Sequence, residues 1–120
     1  MASNPNGQIQ PANVLWTDLW NKQQLLYDYL QELNTKLSPS DRPNYAGDFA
    51  NAQFEIERIE AILASLNSNS PIPFPSNDEI LAIRRSVGIL HQAVTASAQV
   101  TELVAAATAV IKSWPLSRSG

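Results

Sequence analysis

The sequence contains no cysteine, and this absence removes two classes of site. Structural disulfides and zinc sites built on thiolates are both excluded, and with them the usual framework of a small secreted scaffold. A chain of 120 residues does not need disulfides or metal sites to fold, because it can bury roughly two-thirds of its unfolded surface. We therefore expect one domain held together by side-chain packing.

Glycine and histidine are also scarce, with four glycines and a single histidine, His91. The glycines form neither a phosphate-binding loop nor a nucleophile elbow, and no metal-ligand spacing is present. A lone histidine acts as a general base only beside an orienting carboxylate and a nucleophile, and the sequence pattern supplies no such set. We interpret His91 as a surface residue and predict a protein without catalytic activity, cofactor or bound metal.

Long apolar runs and excess positive charge are missing as well. The longest continuous apolar run, 103–107, is far shorter than the ~20 residues that cross a bilayer. The N-terminal segment MASNPNGQIQPA has no basic region and no apolar stretch, so we expect a disordered arm over residues 1–12 rather than a signal sequence. A net charge of −3 disfavours binding to a phosphate backbone. The sequence thus favours a cytoplasmic protein that binds neither membranes nor nucleic acids.

The first strong periodicity predicts an amphipathic helix that starts between Pro11 and Asn13 and ends near Leu37. Prolines in the following loop, 38–43, prevent the helix from continuing. We expect its large aromatic rings to pack in the core beside leucines, although a ligand or partner site is an alternative. The apolar face consists of Trp16, Leu19, Trp20, Leu26, Tyr27, Leu30, Leu33 and Leu37.

Charged residues of this helix are spaced to pair along it. Asp18 precedes Lys22 by four residues, and Glu32 precedes Lys36 by the same distance. This order is the one that helices favour, and each pair is worth only a few tenths of a kcal/mol. The sequence therefore predicts two weak ion pairs within the first helix.

The second predicted helix starts at Asn44 or Asp48 and carries an apolar seam that alternates steps of four and three residues. Such a seam packs along a nearly parallel or antiparallel neighbour. Phe54 falls on the opposite side and is a candidate exposed contact. The seam consists of Tyr45, Phe49, Ala52, Ile56, Ile59, Leu63 and Leu66, and the other faces carry an acidic surface that includes Glu55, Glu57 and Glu60.

The stretch from Asn77 to Trp114 reads as one long helix around which the chain is organised. A capping box marks its start, because the Ser76 side chain can accept from the Glu79 amide while the Glu79 side chain accepts from the Ser76 amide. Pro115 ends it. At ~1.5 Å per residue this helix would span about 60 Å and extend beyond the ends of the two predicted helices before it.

Two apolar seams run along the long helix on nearly opposite sides, since successive residues are turned by ~100°. Either both seams are internal, with the helix central in its bundle or kinked at Gly88, or one seam meets a second copy or another protein. We favour the second interpretation, because alanines let helix backbones approach closely. The first seam is Ile80, Ile83, Val87, Leu90, Val94 and Ala98. The second, the predicted interface, is Ile89, Ala93, Ala96, Val100, Leu103, Ala107, Val110 and Trp114.

Together these elements predict an all-α fold. We expect an antiparallel three-helix bundle over residues 13–114, with an extra-long third helix that can dimerise into a larger bundle. Residues 115–120 are expected to form a frayed tail. The partner is predicted to be a second copy of the chain or another protein.

Three functions follow from these patterns. The leading hypothesis is a non-catalytic interaction or assembly protein that works through the Ala-rich seam. The first alternative is an inhibitor or immunity-type protein that binds a basic partner through the acidic second helix. The second alternative is a small-molecule binder with a pocket between Trp16, Trp20, Tyr27 and Trp114.

Overall fold

The computed structural model describes residues 11–68 and 75–113 and places four α-helices in them. No strand occurs within these two ranges, and the predicted all-α class is confirmed. In chain order the helices are α1 (Pro11–Lys36), α2 (Ala46–Asn67), α3 (Asn77–Thr95) and α4 (Val100–Ser113), with a short 3₁₀ turn (Arg42–Tyr45) before α2.

The bounds of α1 and α2 agree closely with the sequence prediction. Pro11 begins α1, because the fixed φ angle of proline suits the first turn of a helix. The first helix therefore starts at the N-terminal end of its predicted range. Residues 1–10 of the predicted arm and the predicted tail, 115–120, lie outside the described residues.

All four helices contribute buried apolar side chains to one core. Leu19, Leu26 and Leu33 recur every seven residues and form the central stripe of α1. The predicted seam of α2 packs on this core, with four members buried and Tyr45, Phe49 and Leu66 partly buried against it. The other core members are Leu15, Leu25 and Tyr29 of α1, Leu37 directly after it, Ala52, Ile56, Ile59 and Leu63 of α2, Ile83 and Leu90 of α3, and Leu103, Ala106, Ala107 and Val110 of α4.

The aromatic residues of α1 divide differently from the prediction. Tyr29 is only 1% exposed, whereas Trp20 is 43% exposed and Tyr27 is 50% exposed. On the helical wheel Tyr29 lies closer than Tyr27 to the stripe centred on Leu26. The prediction that Trp20 and Tyr27 pack in the core is therefore wrong, while Trp16 is half-buried against the core.

The capping box at the start of α3 is confirmed. The Glu79 amide donates to the Ser76 hydroxyl oxygen at 3.1 Å, and the Ser76 amide donates to the Glu79 carboxylate at 2.8 Å. Two of the amides at the helix start are thus satisfied by side chains of the same turn.

The predicted single helix from Asn77 to Trp114 is wrong, because the chain leaves α3 after Thr95 and begins α4 at Val100. The break does not occur at Gly88, where α3 continues without interruption. The helices on either side of the break pack against each other, and α4 also contacts α1 and α2. The described residues therefore form four packed helices rather than three with an overhanging end.

A left-handed residue produces this break. Ser97 has a φ angle of 55°, which ordinary residues adopt at a cost of about 1–2 kcal/mol. The Ala98 amide then donates to the Ala93 carbonyl at 2.9 Å. The Ser97 amide donates to the Val94 carbonyl at 3.1 Å. These two bonds define a Schellman motif, which satisfies the last carbonyls of α3 and reverses the chain.

Side chains near the end of α1 hold this turn in place. The Ser97 hydroxyl donates to the Glu32 carboxylate at 2.7 Å, and the Lys36 ammonium donates to the Ser97 carbonyl at 2.9 Å. Glu32 and Lys36 also form the predicted pair within α1, with 3.8 Å between Oε2 and Nζ. The α3–α4 turn is thus bonded to a helix more than sixty residues earlier in the sequence.

A bidentate ion pair joins α1 to the first half of α3. Arg84 Nε lies 3.1 Å from Asp18 Oδ1, and Arg84 Nη2 lies 3.1 Å from Asp18 Oδ2. The predicted pair of Asp18 with Lys22 is replaced by this contact between helices. Two parallel bonds fix the geometry of a guanidinium more tightly than a single bond does.

Substitution of Ser97 tests the left-handed turn. We expect Ser97→Val to lower the free energy of unfolding by about 1–2 kcal/mol more than Ser97→Gly, because a β-branched side chain is disfavoured at positive φ. Both variants lose the hydroxyl bond to Glu32, so their difference reports the backbone alone. Urea unfolding followed by circular dichroism measures it, and equal losses would contradict a left-handed residue here.

Candidate interaction surface

The hairpin of α3 and α4 creates an open groove of about 570 Å³ on the surface. Alanine side chains are too small to fill the space between two helices, which leaves the groove open where they face each other. Gln92 and Glu102 are its polar members. The lining residues are Ile89, Gln92, Ala93, Ala96, Ala98, Glu102, Ala105, Ala106 and Ala109.

Ile89 stands beside this groove with 53% of its surface exposed. A single exposed aliphatic residue is common in proteins. Ile89, however, continues directly into the alanines of the groove, so that the apolar surface is contiguous. Contiguous apolar patches on a protein surface mark binding sites more often than scattered residues do.

The predicted interface seam is divided by the fold. Leu103, Ala107 and Val110 are buried in the core of the chain itself. Val100 is half-buried against the same core. These four residues lie on the side of α4 that faces α1 and α2, because the chain reverses at the turn after α3.

The N-terminal part of the seam remains at the surface. Ile89 and Ala96 are exposed, Ala93 is half-buried, and all three line the groove. Trp114 lies outside the described residues. Ala98 was assigned to the first seam, and the sequence reasoning missed Ala105 and Ala109, because a straight helix turns them away from the second seam. The density of alanine in 105–109 was the signal that could have identified them.

The predicted acidic surface loses one of its members. Glu55 is buried, and its Oε2 lies 3.0 Å from Nζ of the fully buried Lys22. Arg58 Nη1 approaches Glu55 Oε1 at 3.4 Å. The prediction that Glu55 is exposed is wrong, because it pairs with α1 across the helix interface. Glu57 and Glu60 are exposed, and Glu60 accepts a 2.8 Å bond from the Gln23 amide.

Burial changes the proton affinity of two groups in α1. Removal from water lowers the pKa of Lys22 from 10.5 to about 8, and the charge of Glu55 offsets only part of this effect. Burial, with a smaller contribution from Asp48, raises the pKa of Tyr29 from 10.0 to about 12. A lysine sealed between helices cannot meet a substrate, so we assign the pair of Lys22 and Glu55 to the packing of α1 on α2.

Two of the four aromatic residues proposed for a ligand pocket, Trp16 and Trp20, form a stacked pair. The rings of Trp16 and Trp20 are 6.3 Å apart and inclined by 10°. The buried Trp16 Nε1 has no hydrogen-bond acceptor among the described residues. Tyr27 is half-exposed on the same side of α1, and Trp114 lies outside the described residues. A pocket that includes all four rings stays a prediction.

His91 is exposed and lines a smaller groove of about 260 Å³ between α1 and α3. Asp28 is the one acidic residue of that groove, whose other polar members are Asn21 and Gln24. Within residues 11–68 and 75–113, no three histidine, aspartate or glutamate side chains are grouped to hold a metal ion. Phe54, the predicted exposed contact of α2, is 65% exposed.

No protein-family model, curated protein or solved structure matches this chain significantly. In the part of the chain that the structure describes, every helix is too short or too polar to cross a membrane. The function must therefore be inferred from the geometry of the surface.

Because Lys22 is buried beside Glu55, the free energy of unfolding depends on pH in the alkaline range. Unfolded Lys22 holds its proton up to a higher pH than folded Lys22, so the free energy of unfolding should rise between about pH 8 and 10, by up to about 3 kcal/mol. Above about pH 10 the raised pKa of Tyr29 reverses the trend, because the unfolded phenol then loses its proton first.

Denaturant titrations across this pH range measure the effect, and Lys22→Met is the control. Methionine has a similar length and no titratable group, and Glu55 keeps Arg58 as a partner in the variant. We expect the rise between pH 8 and 10 to disappear in Lys22→Met. A rise of the same size in both proteins would contradict the assignment to Lys22.

Proposed function

We propose that this protein is a non-catalytic interaction protein that binds an α-helix in the α3–α4 groove. The observation that carries this proposal is the continuity of the exposed Ile89 with a groove lined mostly by alanine. Helix-in-groove binding is a recurrent mode of recognition, in which apolar side chains of one helix enter an apolar depression.

The alanine lining of the groove suits a helix as the occupant. Alanines on both walls allow the axis of a third helix to approach at the short end of the 8–10 Å range of packed helices. Ile89 would supply an aliphatic anchor at the edge of such a contact. Gln92 and Glu102 would form part of the polar rim that interfaces usually have.

The electrostatic alternative has less support. Glu55 is neutralised inside the protein by Lys22 and Arg58, which leaves Glu57 and Glu60 as the exposed acidic pair of the predicted surface. Two exposed carboxylates provide little steering of a basic partner. We therefore place the binding function on α3 and α4.

Photochemical cross-linking inside cells tests the groove, because it captures the protein that lies against the labelled residue. A benzophenone amino acid is introduced at the exposed Ala105 on the groove wall, and in a control at the exposed Ala61 on the outer side of α2. We expect ultraviolet light to give a discrete protein adduct from position 105, identified by mass spectrometry, and much less from position 61.

Substitutions of exposed apolar residues complete this experiment. Ile89→Asp should reduce the adduct from position 105, because a carboxylate would be buried at the contact. Phe54→Asp, which alters an exposed ring on α2, should leave the adduct unchanged. Equal cross-linking from positions 105 and 61, or an adduct insensitive to Ile89→Asp, would contradict the proposal.

A further inference from the structure

We infer that the helix bound in the groove belongs to a second copy of this chain, arranged about a two-fold axis. The inference rests on the proposed function, because it names the partner of the same surface. A two-fold interface brings one patch against the identical patch of the partner, so the patch must be complementary to itself. The shape and the charges around the groove both meet this requirement.

The shape is complementary because a projection and a depression lie side by side. Ile89 projects from α3, and the alanines of α4 form the depression beside it. When two copies face each other with their α3 helices antiparallel, Ile89 of each copy enters the depression of the other. Both contacts form together, and each buries an aliphatic side chain that is half-exposed in the single chain.

The charges around the groove are complementary because an exposed arginine precedes Ile89 on α3, whereas a glutamate lines the groove near the α3–α4 connection. Arg85 precedes Ile89 by one turn on the exposed side of α3, away from the α3–α4 connection. Glu102 lies in the first turn of α4, close to that connection, where it lines the groove with Ala96 and Ala98. In an antiparallel arrangement of two copies, Arg85 of each lies opposite Glu102 of the other.

Both charges are free to form such pairs. Arg84 is bonded to Asp18, whereas neither Arg85 nor Glu102 has a salt bridge among the described residues. Arg85 lies ten residues before the end of α3 at Thr95, a rise of about 15 Å, so the two intermolecular pairs would lie about 15 Å apart or less along the groove. They would flank the contacts of the two Ile89 side chains and fix the antiparallel orientation.

Charge reversal tests the two intermolecular pairs. In Arg85→Glu both intermolecular pairs become acidic, and in Glu102→Arg both become basic. We expect each variant alone to weaken dimerisation about tenfold or more, because two attractive pairs become repulsive. An equimolar mixture of the two variants should dimerise as well as the wild type, because every pair in the mixed dimer is again of opposite charge.

Light scattering after size exclusion, over a hundredfold range of concentration, measures the molar mass of each sample. Glu57→Arg is the control, since it makes the same charge change as Glu102→Arg on the exposed side of α2 and should dimerise like the wild type. Circular dichroism verifies that each variant is folded. The double variant Arg85→Glu/Glu102→Arg should also dimerise.

Three outcomes would overturn the inference. They are a wild-type chain that stays monomeric throughout, single variants that dimerise like the wild type, and a mixture that stays as weak as its components. If the wild type is monomeric and position 105 cross-links to a different protein, the groove is a binding site but its partner is not a second copy of the chain. Absence of both the adduct and the dimer would contradict the proposal that the groove is a binding site.

Discussion

The left-handed turn at Ser97 is the constraint on which the C-terminal half of the fold depends. Without it, the apolar residues from Ile80 to Val110 would follow one straight helix with an apolar side facing solvent. With it, α4 returns along α3, and Leu103 and Val110 enter the core that α1 and α2 also build. The bonds from Glu32 and Lys36 to Ser97 join this reversal to the end of α1, so the bundle and the turn stabilise each other.

Polar contacts determine how the helices are aligned, and apolar burial supplies the driving force. Lys22 with Glu55 sets α1 against α2, and Arg84 with Asp18 sets α1 against α3. The pair of Lys22 and Glu55 is buried and adds little net stability, but a shifted register would leave either of its charges buried and unpaired at a cost of several kcal/mol. The same shift would also misplace the leucines of α1. The groove lies where this alignment leaves alanine facing alanine.

Local signals in the sequence predicted much of this fold, and contacts between helices account for the errors. The apolar seam of α2 and the capping box of Ser76 depend on nearby residues, and both are confirmed. The turn was missed because glycine usually occupies its left-handed position, and here serine does, held by Glu32 from a distant part of the chain. Lys22 was assigned to Asp18 because the spacing within one helix cannot reveal Glu55 on another. The alanines and Ile89 of the candidate site were visible in the sequence, but their grouping into one groove depends on the turn.

The distance between the start of α3 and the end of α4 tests the reversal most directly. The chain has no cysteine, so spin labels can be attached cleanly to Asp78→Cys/Lys112→Cys, two exposed positions, and diluted with unlabelled protein to remove signals between copies. Pulsed electron paramagnetic resonance should give a distance between the two labels below about 25 Å, as expected for labels on antiparallel helices packed side by side. A separation of about 50 Å, the length of 34 helical residues, would show a continuous helix and contradict the turn, the groove and the interface proposed on it.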